Sequence, residues 1–264
     1  MMHLKSMQSS LLRLKRNRFL FEELVKRDFK KKYKGTVLGM GWSLLSPLLT
    51  LLVLYTVFSH FFGRGIAHYT TYLFCGNLLF SYYRESTTGG MASLLSNASI
   101  FTKINVPKYI FLLSRNISSL INFGLSLLIF FMFVWFDNIS FGIHFLLLLY
   151  PIVCLVAFNL GVGLIVSALF VFFRDLRYLY DVFVMLLMYL SAIFYPVTVL
   201  PEPYQMMFLL NPVFVYIKYF RSIVLESKIP SVEYHLLCAF YALLVLTVGG
   251  YIYKKYNHKF LYYV

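Results

Sequence analysis

The sequence has few charged residues. They make up 13% of its 264 residues, whereas soluble globular proteins carry about 25%. Hydrophobic residues make up 60% of the chain, and the mean hydropathy is +0.75. Such a chain cannot cover its surface with polar side chains, which excludes a soluble globular protein. Aromatic residues reach 20%, which excludes a disordered chain because disordered chains are poor in them.

The sequence also lacks the motifs of common catalytic and metal sites. It contains no GxxxxGK[ST], HExxH or GxSxG, and its six histidines are scattered. Its three cysteines lie far apart in apolar runs without a CxxC, which indicates buried apolar residues. Only ten acidic residues occur, and they form no intramembrane cluster that a proton-coupled transporter or a membrane enzyme would need. We therefore expect no metal, no cofactor and no catalytic centre, but a path that is passive or driven by another subunit.

Six apolar stretches are each long enough to cross a bilayer as a helix. Their composition does not show the short alternating strands of an outer-membrane barrel. The sequence therefore predicts an all-α integral membrane protein with six transmembrane helices, in residues 37–62, 69–95, 109–136, 143–173, 178–200 and 232–253.

The basic residues predict the orientation of these spans. The net charge is +14. If the N-terminus lies inside, the inner segments hold eleven basic residues before the first span and four around the connection between the second and third spans. They hold two more between the fourth and fifth spans and three in the tail. The outer segments hold four, which are Arg64, Lys218, Arg221 and Lys228. Both termini are thus expected in the cytoplasm. Because this rule accounts for the charge, no nucleic-acid partner is expected.

Residues 1–36 are predicted to form a basic cytoplasmic segment with an amphipathic interface helix, ahead of a transmembrane domain in residues 37–264. In residues 19–34, one helical face is basic and the other is apolar. Asp28 and Lys32 interrupt the apolar face, stand in the order that favours an i,i+4 ion pair, and hint at a contact with protein. The apolar face comprises Leu20, Phe21, Leu24, Val25 and Phe29.

Two connections between the predicted spans are unusual. Residues 196–231 stay apolar although five prolines interrupt them, which favours re-entrant half-helices between the fifth and sixth spans over a cap lying on the membrane. Residues 93–108 are moderately apolar and end near Pro107, which suits either a short helix on the cytoplasmic face, able to dock a partner, or a plain connector.

Several of these segments, in order, resemble the ABC-2 type permeases of polysaccharide exporters. Residues 24–42 read LVKRDFKKKYKGTVLGMGW and precede Pro47, similar to the family pattern R-D-x-K-x-R-Y-x-x-S-x-L-G-x-x-W. This chain departs from the pattern at Lys32 and at residues 35–36. The resemblance continues through the connector IFTKINVPK, the turn VFFRDL, the segment SAIFYP, and the pairs Leu200-Pro201 and Asn211-Pro212.

The resemblance implies a permease without its own ATPase. Such permeases assemble as two copies with two copies of an ABC ATPase subunit, which binds ATP and Mg²⁺, and they export lipid-linked polysaccharide such as O-antigen, capsule, teichoic acid or rhamnan. It also implies a multi-pass location in a bacterial or archaeal plasma membrane. ATPase coupling would involve Ser96, Ile100, Phe101, Lys103, Pro107, Arg174 and Asp175, and the interface-helix motif comprises Arg27, Asp28, Lys32 and Tyr33.

An aromatic, weakly charged bundle suits a sugar chain, because sugar C–H faces pack on aromatic rings. Candidate lining residues are Tyr82, Tyr83, Phe194 and Tyr195, although single rings more often face lipid. Arg27, Lys31 and Arg84 could meet a lipid pyrophosphate, although binding to the anionic leaflet explains them equally well. The resemblance adds an outer gate containing Pro196, Pro201, Pro203 and Pro212.

The alternatives are an ABC-2 permease for a drug or small lipid and a self-contained channel or secondary transporter. The first shares the whole architecture, so only the substrate separates it from a polysaccharide permease. The second would require intramembrane acids or inverted repeats, and the sequence shows neither.

Overall fold

A computed structural model describes residues 17–263, within which every regular element is a helix. The first sixteen residues of the predicted basic segment lie outside the described residues. The α-helices of the described chain are α1 (Arg18–Tyr33), α2 (Trp42–Phe62), α3 (Tyr69–Ser96), α4 (Ala98–Phe101), α5 (Tyr109–Phe136), α6 (Leu149–Phe172), α7 (Leu176–Leu190), α8 (Glu202–Met207), α9 (Pro212–Val224) and α10 (Val232–Tyr256).

Four helical segments of the described chain are long and apolar enough to cross a bilayer. They are Gly39–Gly65, Tyr109–Phe136, Ile143–Phe172 and Val232–Tyr256. The bent pair Glu202–Leu210 and Pro212–Val224 would raise the number to five. The prediction of an all-helical chain with several membrane-spanning helices is therefore confirmed, while the number of six stays a prediction.

The remaining two predicted spans, α3 and α7, differ from these four in composition or length. Helix α3 has 28 residues but carries many polar ones, several of which its neighbours bury. Helix α7 has 15 residues and is about 22 Å long, short of the roughly 30 Å hydrocarbon core. The predicted end of the fifth span at residue 200 was wrong, because the helix stops at Leu190. The chain then turns through Ala192, whose φ of 47° is incompatible with a continuing helix.

Helix α3 forms the centre of the bundle and packs against α2, α5, α6 and α9. It buries a row of large side chains that includes Phe74, Leu78 and Tyr83. Helices α6 and α10 pack together at Gly161 and Gly249, where a Cβ atom on Gly161 would lie 2.6 Å from the backbone nitrogen of Leu246. Small residues at such a crossing let two membrane helices approach closely.

Replacing Gly249 with alanine should destabilise the protein, because the added Cβ atom would collide with the carbonyl of Gly161. Overpacking of this kind costs about 1–3 kcal/mol. We expect a lower thermal unfolding midpoint in detergent. Gly250→Ala is the matched control, since nothing lies within 4 Å of its Cβ position. Equal midpoints for the two variants would contradict the tight crossing.

Candidate functional site

Charged side chains join helix α1 to the bundle through the helix face that is turned toward α3 and α5. Asp28 is 4% exposed, with one carboxylate oxygen 2.7 Å from Arg27 Nη2 and the other 3.9 Å from Arg115 Nε on α5. Lys32 Nζ lies 2.7 Å from Glu85 Oε2 on α3. The expected ion pair between Asp28 and Lys32 is therefore wrong, because each residue pairs with another partner. The expected contact of Asp28 and Lys32 with other parts of the protein is confirmed.

A hydrogen-bond network continues from this ion pair into the bundle. Asn122 on α5 donates from Nδ2 to Glu85 Oε1 at 2.7 Å, and its Oδ1 accepts from the Tyr33 hydroxyl at 3.0 Å. Burial, with a contribution from the nearby Glu85, raises the pKa of Tyr33 to about 12. The network holds the end of α1 against α3 and α5.

A cavity of about 350 Å³ lies beside this network, between α1, α2, α3 and α5. Most of its polar lining groups are hydroxyls and amides, and Trp42, Phe74 and Phe123 contribute aromatic rings. Tyr82 also lines it, and its hydroxyl donates to Asn116 Oδ1 at 3.2 Å. The polar lining comprises Lys32, Tyr33, Thr36, Ser43, Ser46, Thr50, Asn77, Ser81, Tyr82, Glu85, Ser119, Asn122 and Ser126.

The other candidate path residues lie elsewhere. Tyr83 is 2% exposed and packs in the core, with its hydroxyl 3.3 Å from that of Tyr180. Arg84 is exposed on the next position of α3. Phe194 and Tyr195 lie near Tyr72, about 15 Å along α3 from Tyr82. The structure therefore does not bring the four aromatic candidates together around one site.

The predicted outer end contains a cluster around Arg221, a residue of α9. Arg221 Nη1 donates to the carbonyl of Ala192, and Nη2 donates to that of Ile193, both at 2.9 Å. Its guanidinium carbon lies 3.4 Å from the centre of the Tyr72 ring. Arg221 belongs to the predicted outer segment, but its side chain is 5% exposed and supports the turn after α7.

Two tyrosines of α3 hold the rest of that turn. The Tyr69 hydroxyl donates to the carbonyl of Phe194, and the Tyr72 hydroxyl to that of Tyr195, both at 2.8 Å. The Phe194 ring stacks on Phe58 of α2 at a centroid distance of 4.5 Å. Phe194 and Tyr195, two of the candidate lining residues, are thus held at the junction of α2, α3 and α7.

The prolines of the predicted gate stand at helix boundaries, where a missing N–H costs least. Pro196 and Pro201 precede short helical segments, Pro203 lies in the first turn of α8, and Pro212 begins α9. The two helical segments of this region meet at 107°. Helix α8 is mostly exposed, whereas eleven of the thirteen residues of α9 are buried.

The coupling segment forms a short helix, α4, at the opposite end of the bundle. Phe101 is 4% exposed and packs against Phe111, so it supports this helix from inside. Ser96 and Lys103 are exposed, while Ile100 and Pro107 are half-buried. The outward face continues through Ile104, which is 48% exposed. The feature that could meet a partner is therefore this outward face and not the Phe101 ring.

The C-terminal residues connect this segment to the turn after α6. Lys108 Nζ donates to the carbonyl of Asn257 at 2.7 Å, and burial lowers the pKa of Lys108. Phe260 is fully buried beside it. Arg174 Nη2 donates to the carbonyl of Tyr263 at 3.2 Å, and Asp175 is exposed next to it. Residues 93–108, 173–175 and 257–263 thus form one continuous surface, which we call the inner surface.

The sequence patterns did not identify Asn122, Ser119, Arg221 and Phe260 as residues of a site. Polar or ionisable residues in apolar runs commonly mark functional or structural sites in membrane proteins. That signal was present for Asn122 and Ser119 within the third apolar stretch and for Arg221 within α9. No comparable signal marked Phe260, because nothing local distinguishes it from the other aromatic residues of the tail.

Replacing Arg221 with methionine should lower the thermal unfolding midpoint by roughly 5 °C or more, because the carbonyls of Ala192 and Ile193 would lose their donors. Lys218→Met is the matched control, one turn away on α9, where the side chain pairs with Glu226 at the surface. A surface pair contributes little. The role given to Arg221 would be contradicted if both variants melted at the same temperature.

Comparison with known proteins places these features in a family. The model of the ABC-2 type transporter family matches residues 20–225. An O-antigen export system permease protein from Klebsiella pneumoniae is 28% identical over 253 residues, which cover 92% of this chain and 95% of the relative. A protein of the same name from Myxococcus xanthus is 26% identical, with 92% and 94% covered. The polysialic acid transport protein KpsM from Escherichia coli is 22% identical, with 88% and 92% covered.

The matched region runs from α1 to the residue after α9 and includes the cavity, the Arg221 cluster and most of the inner surface. It spans well over half of the chain. The chain therefore belongs to the ABC-2 type transporter family.

Proposed function

We propose that this chain is the membrane permease subunit of an ATP-driven exporter that carries lipid-linked polysaccharide out of the cytoplasm. The observation that carries the proposal is the near full-length similarity to permeases named for O-antigen export and polysialic acid transport. These names favour a polysaccharide over the drug or small lipid that the architecture would equally allow. The chain itself performs no chemical step and acts by providing a path.

We place the chain in the plasma membrane with six spans and both termini in the cytoplasm. Helix α3 would be the second span, since neighbouring helices bury several of its polar side chains, including Thr71, Ser86 and Thr87. Helix α7 would be the fifth, a short span that ends at the turn after Leu190. The outer connections hold four basic residues and the inner segments hold twenty, which supports this orientation. Helices α8 and α9 would form a re-entrant pair from the outer side.

The permease would act as a homodimer. In the segment Gly39–Gly65, only 6% of the most apolar stretch consists of residues that the rest of the chain buries. Helix α7 also exposes most of its apolar side chains, including Leu179, Phe183 and Leu186. A second copy could cover these two faces and enclose a path between them. Phe194 and Tyr195 stand where α2 meets the turn after α7, so they would act with the proline segments as the outer gate.

The inner surface would dock a separate ABC ATPase subunit, two copies for the dimer, which would bind ATP and Mg²⁺. Its outward side combines Ile104 and Leu261 with basic residues such as Lys103 and Arg174. Phe101, Lys108 and Phe260 pack behind it and join it to α5 and α10. A movement of the docked ATPase would therefore be passed directly to membrane helices.

Replacing Ile104 with aspartate should reduce recovery of the ATPase at least about tenfold when the permease is purified in mild detergent, because a charge would enter an apolar contact. Ile229→Asp is the matched control, since Ile229 is also exposed but lies on the proposed outer side. Quantitative mass spectrometry of the co-purified proteins gives the measurement. Equal ATPase recovery from the two variants would contradict docking at the inner surface.

Deleting the gene should remove a polysaccharide from the cell surface while its lipid-linked form accumulates on the cytoplasmic side. The proposed permease moves its substrate and does not make it, so its loss should block delivery and not synthesis. Surface labelling of glycan and analysis of the extracted lipid-linked fraction give the measurement. Unchanged surface glycan together with retention of a drug or small lipid would favour the alternative substrate.

A further inference from the structure

The cavity beside the Glu85 network extends into the predicted membrane region. Its lining residues on α5 run from Ser119 to Ser126, about 15 to 25 Å along the helix from Tyr109. Ser46, Thr50 and Ser81 line it and are also exposed, so the cavity opens between α2 and α3. Hydroxyl groups facing an opening at this depth are unusual, because polar groups inside a bilayer are costly without partners.

Part of this lining keeps hydrogen-bonding capacity for a ligand. Within residues 17–263, the hydroxyls of Ser46 and Ser119 have no protein partner. Asn77 accepts a long bond of 3.5 Å from Ser81, which leaves its amide N–H groups free to donate. These groups lie beside the satisfied network of Tyr33, Glu85 and Asn122. The structure therefore contains both a fixed wall and a set of unused polar groups.

The charges around the cavity favour a neutral ligand. Lys32 and Glu85, the charged residues in its lining, pair at 2.7 Å. An anionic group would compete with Glu85 for Lys32 and would meet a carboxylate. A ligand rich in hydroxyls could instead bond to the serines and amides and place its C–H face on Trp42 or Phe123. The volume of about 350 Å³ falls within the range of roughly 300–1,000 Å³ typical of small-molecule sites.

We propose that this cavity binds a neutral sugar ring of the polysaccharide while the polymer passes through the membrane. The proposal rests on the proposed function and adds a binding site within a single subunit. Lys32, Glu85 and Asn122 would orient the ring from one wall, and Asn77, Ser46 and Ser119 would bond its hydroxyls. Because these bonds do not depend on one arrangement of hydroxyls, successive sugars could occupy the site in turn.

Trp42 provides a direct probe of this binding. The chain has two tryptophans, and the other, Trp135, is 66% exposed at the far end of α5. A Trp135→Phe variant of the full chain therefore reports on the cavity through Trp42 fluorescence. We would reconstitute it in lipid nanodiscs and titrate it with octyl glucoside, octyl phosphate and octanol, each below its micelle concentration. The three probes share a tail and differ in carrying a sugar, an anion or only a hydroxyl.

We expect octyl glucoside to cause a saturable change in Trp42 fluorescence at a concentration at least about tenfold lower than the other two probes. Adding Ser119→Val and Asn77→Leu should weaken this binding about tenfold, since each removes a hydrogen bond. Ser118→Val is the matched control. Ser118 is 4% exposed and Ser119 is 5% exposed on the same helix, but only Ser119 lines the cavity.

Equal responses to all three probes would show a lipid-filled cavity, and tighter binding of octyl phosphate would show an anion site. Either result would overturn the proposal, as would an unchanged affinity in the Ser119→Val and Asn77→Leu variant. The thermal unfolding midpoint of each variant, compared with that of Ser118→Val, shows whether the protein remains folded. The titration needs neither the ATPase nor export. If octyl glucoside binds but no ATPase is recovered with the purified permease, the proposed function is contradicted and the sugar site is not.

Discussion

The buried guanidinium of Arg221 connects the parts of this structure that sequence order keeps apart. It lies on α9, covers the Tyr72 ring of α3, and donates to the carbonyls of Ala192 and Ile193 after α7. Gly76 makes this approach possible, since a Cβ atom there would lie 2.7 Å from Arg221 Nη2. One side chain thus supplies hydrogen bonds to backbone carbonyls that would otherwise lack donors away from water. Arginine is suited to this task because its guanidinium carries five N–H donors in a rigid fork.

Helix α3 is the second organising element, because it carries polar partners for both ends of the bundle. Near its start, Tyr69 and Tyr72 hold the turn that contains Phe194 and Tyr195. About three turns before its end, the Glu85 carboxylate accepts hydrogen bonds from Lys32 and Asn122. A helix placed in the middle of a membrane protein can hold so many polar groups because other helices, and not lipid, surround it. The proposed sugar cavity and outer gate both border this helix.

The sequence was sufficient to predict much of the fold. Apolar length located α2, α5, α6 and α10, and the prolines at 201, 203 and 212 indicated short helices in the region between α7 and α10. It failed where a pairing depended on a distant helix. Asp28 and Lys32 had the spacing of an ion pair, yet each found a partner, Arg115 and Glu85, on another element. The sequence also predicted too late an end for α7. Residues 191–200 are as apolar as a membrane-spanning helix, but they fold back onto α3.

Composition and the order of apolar and basic segments, by themselves, determined a helical membrane protein with a basic N-terminus and no nucleotide-binding motif, because burial in lipid and the distribution of charge are properties of segments. Only the tertiary structure decided which polar residues share a site. The cavity combines residues from four helices, and the inner surface joins residues 93–108 to the tail through Lys108 and Phe260. Such groupings depend on helix rotation and crossing geometry, which packing across the whole bundle sets and no local pattern encodes.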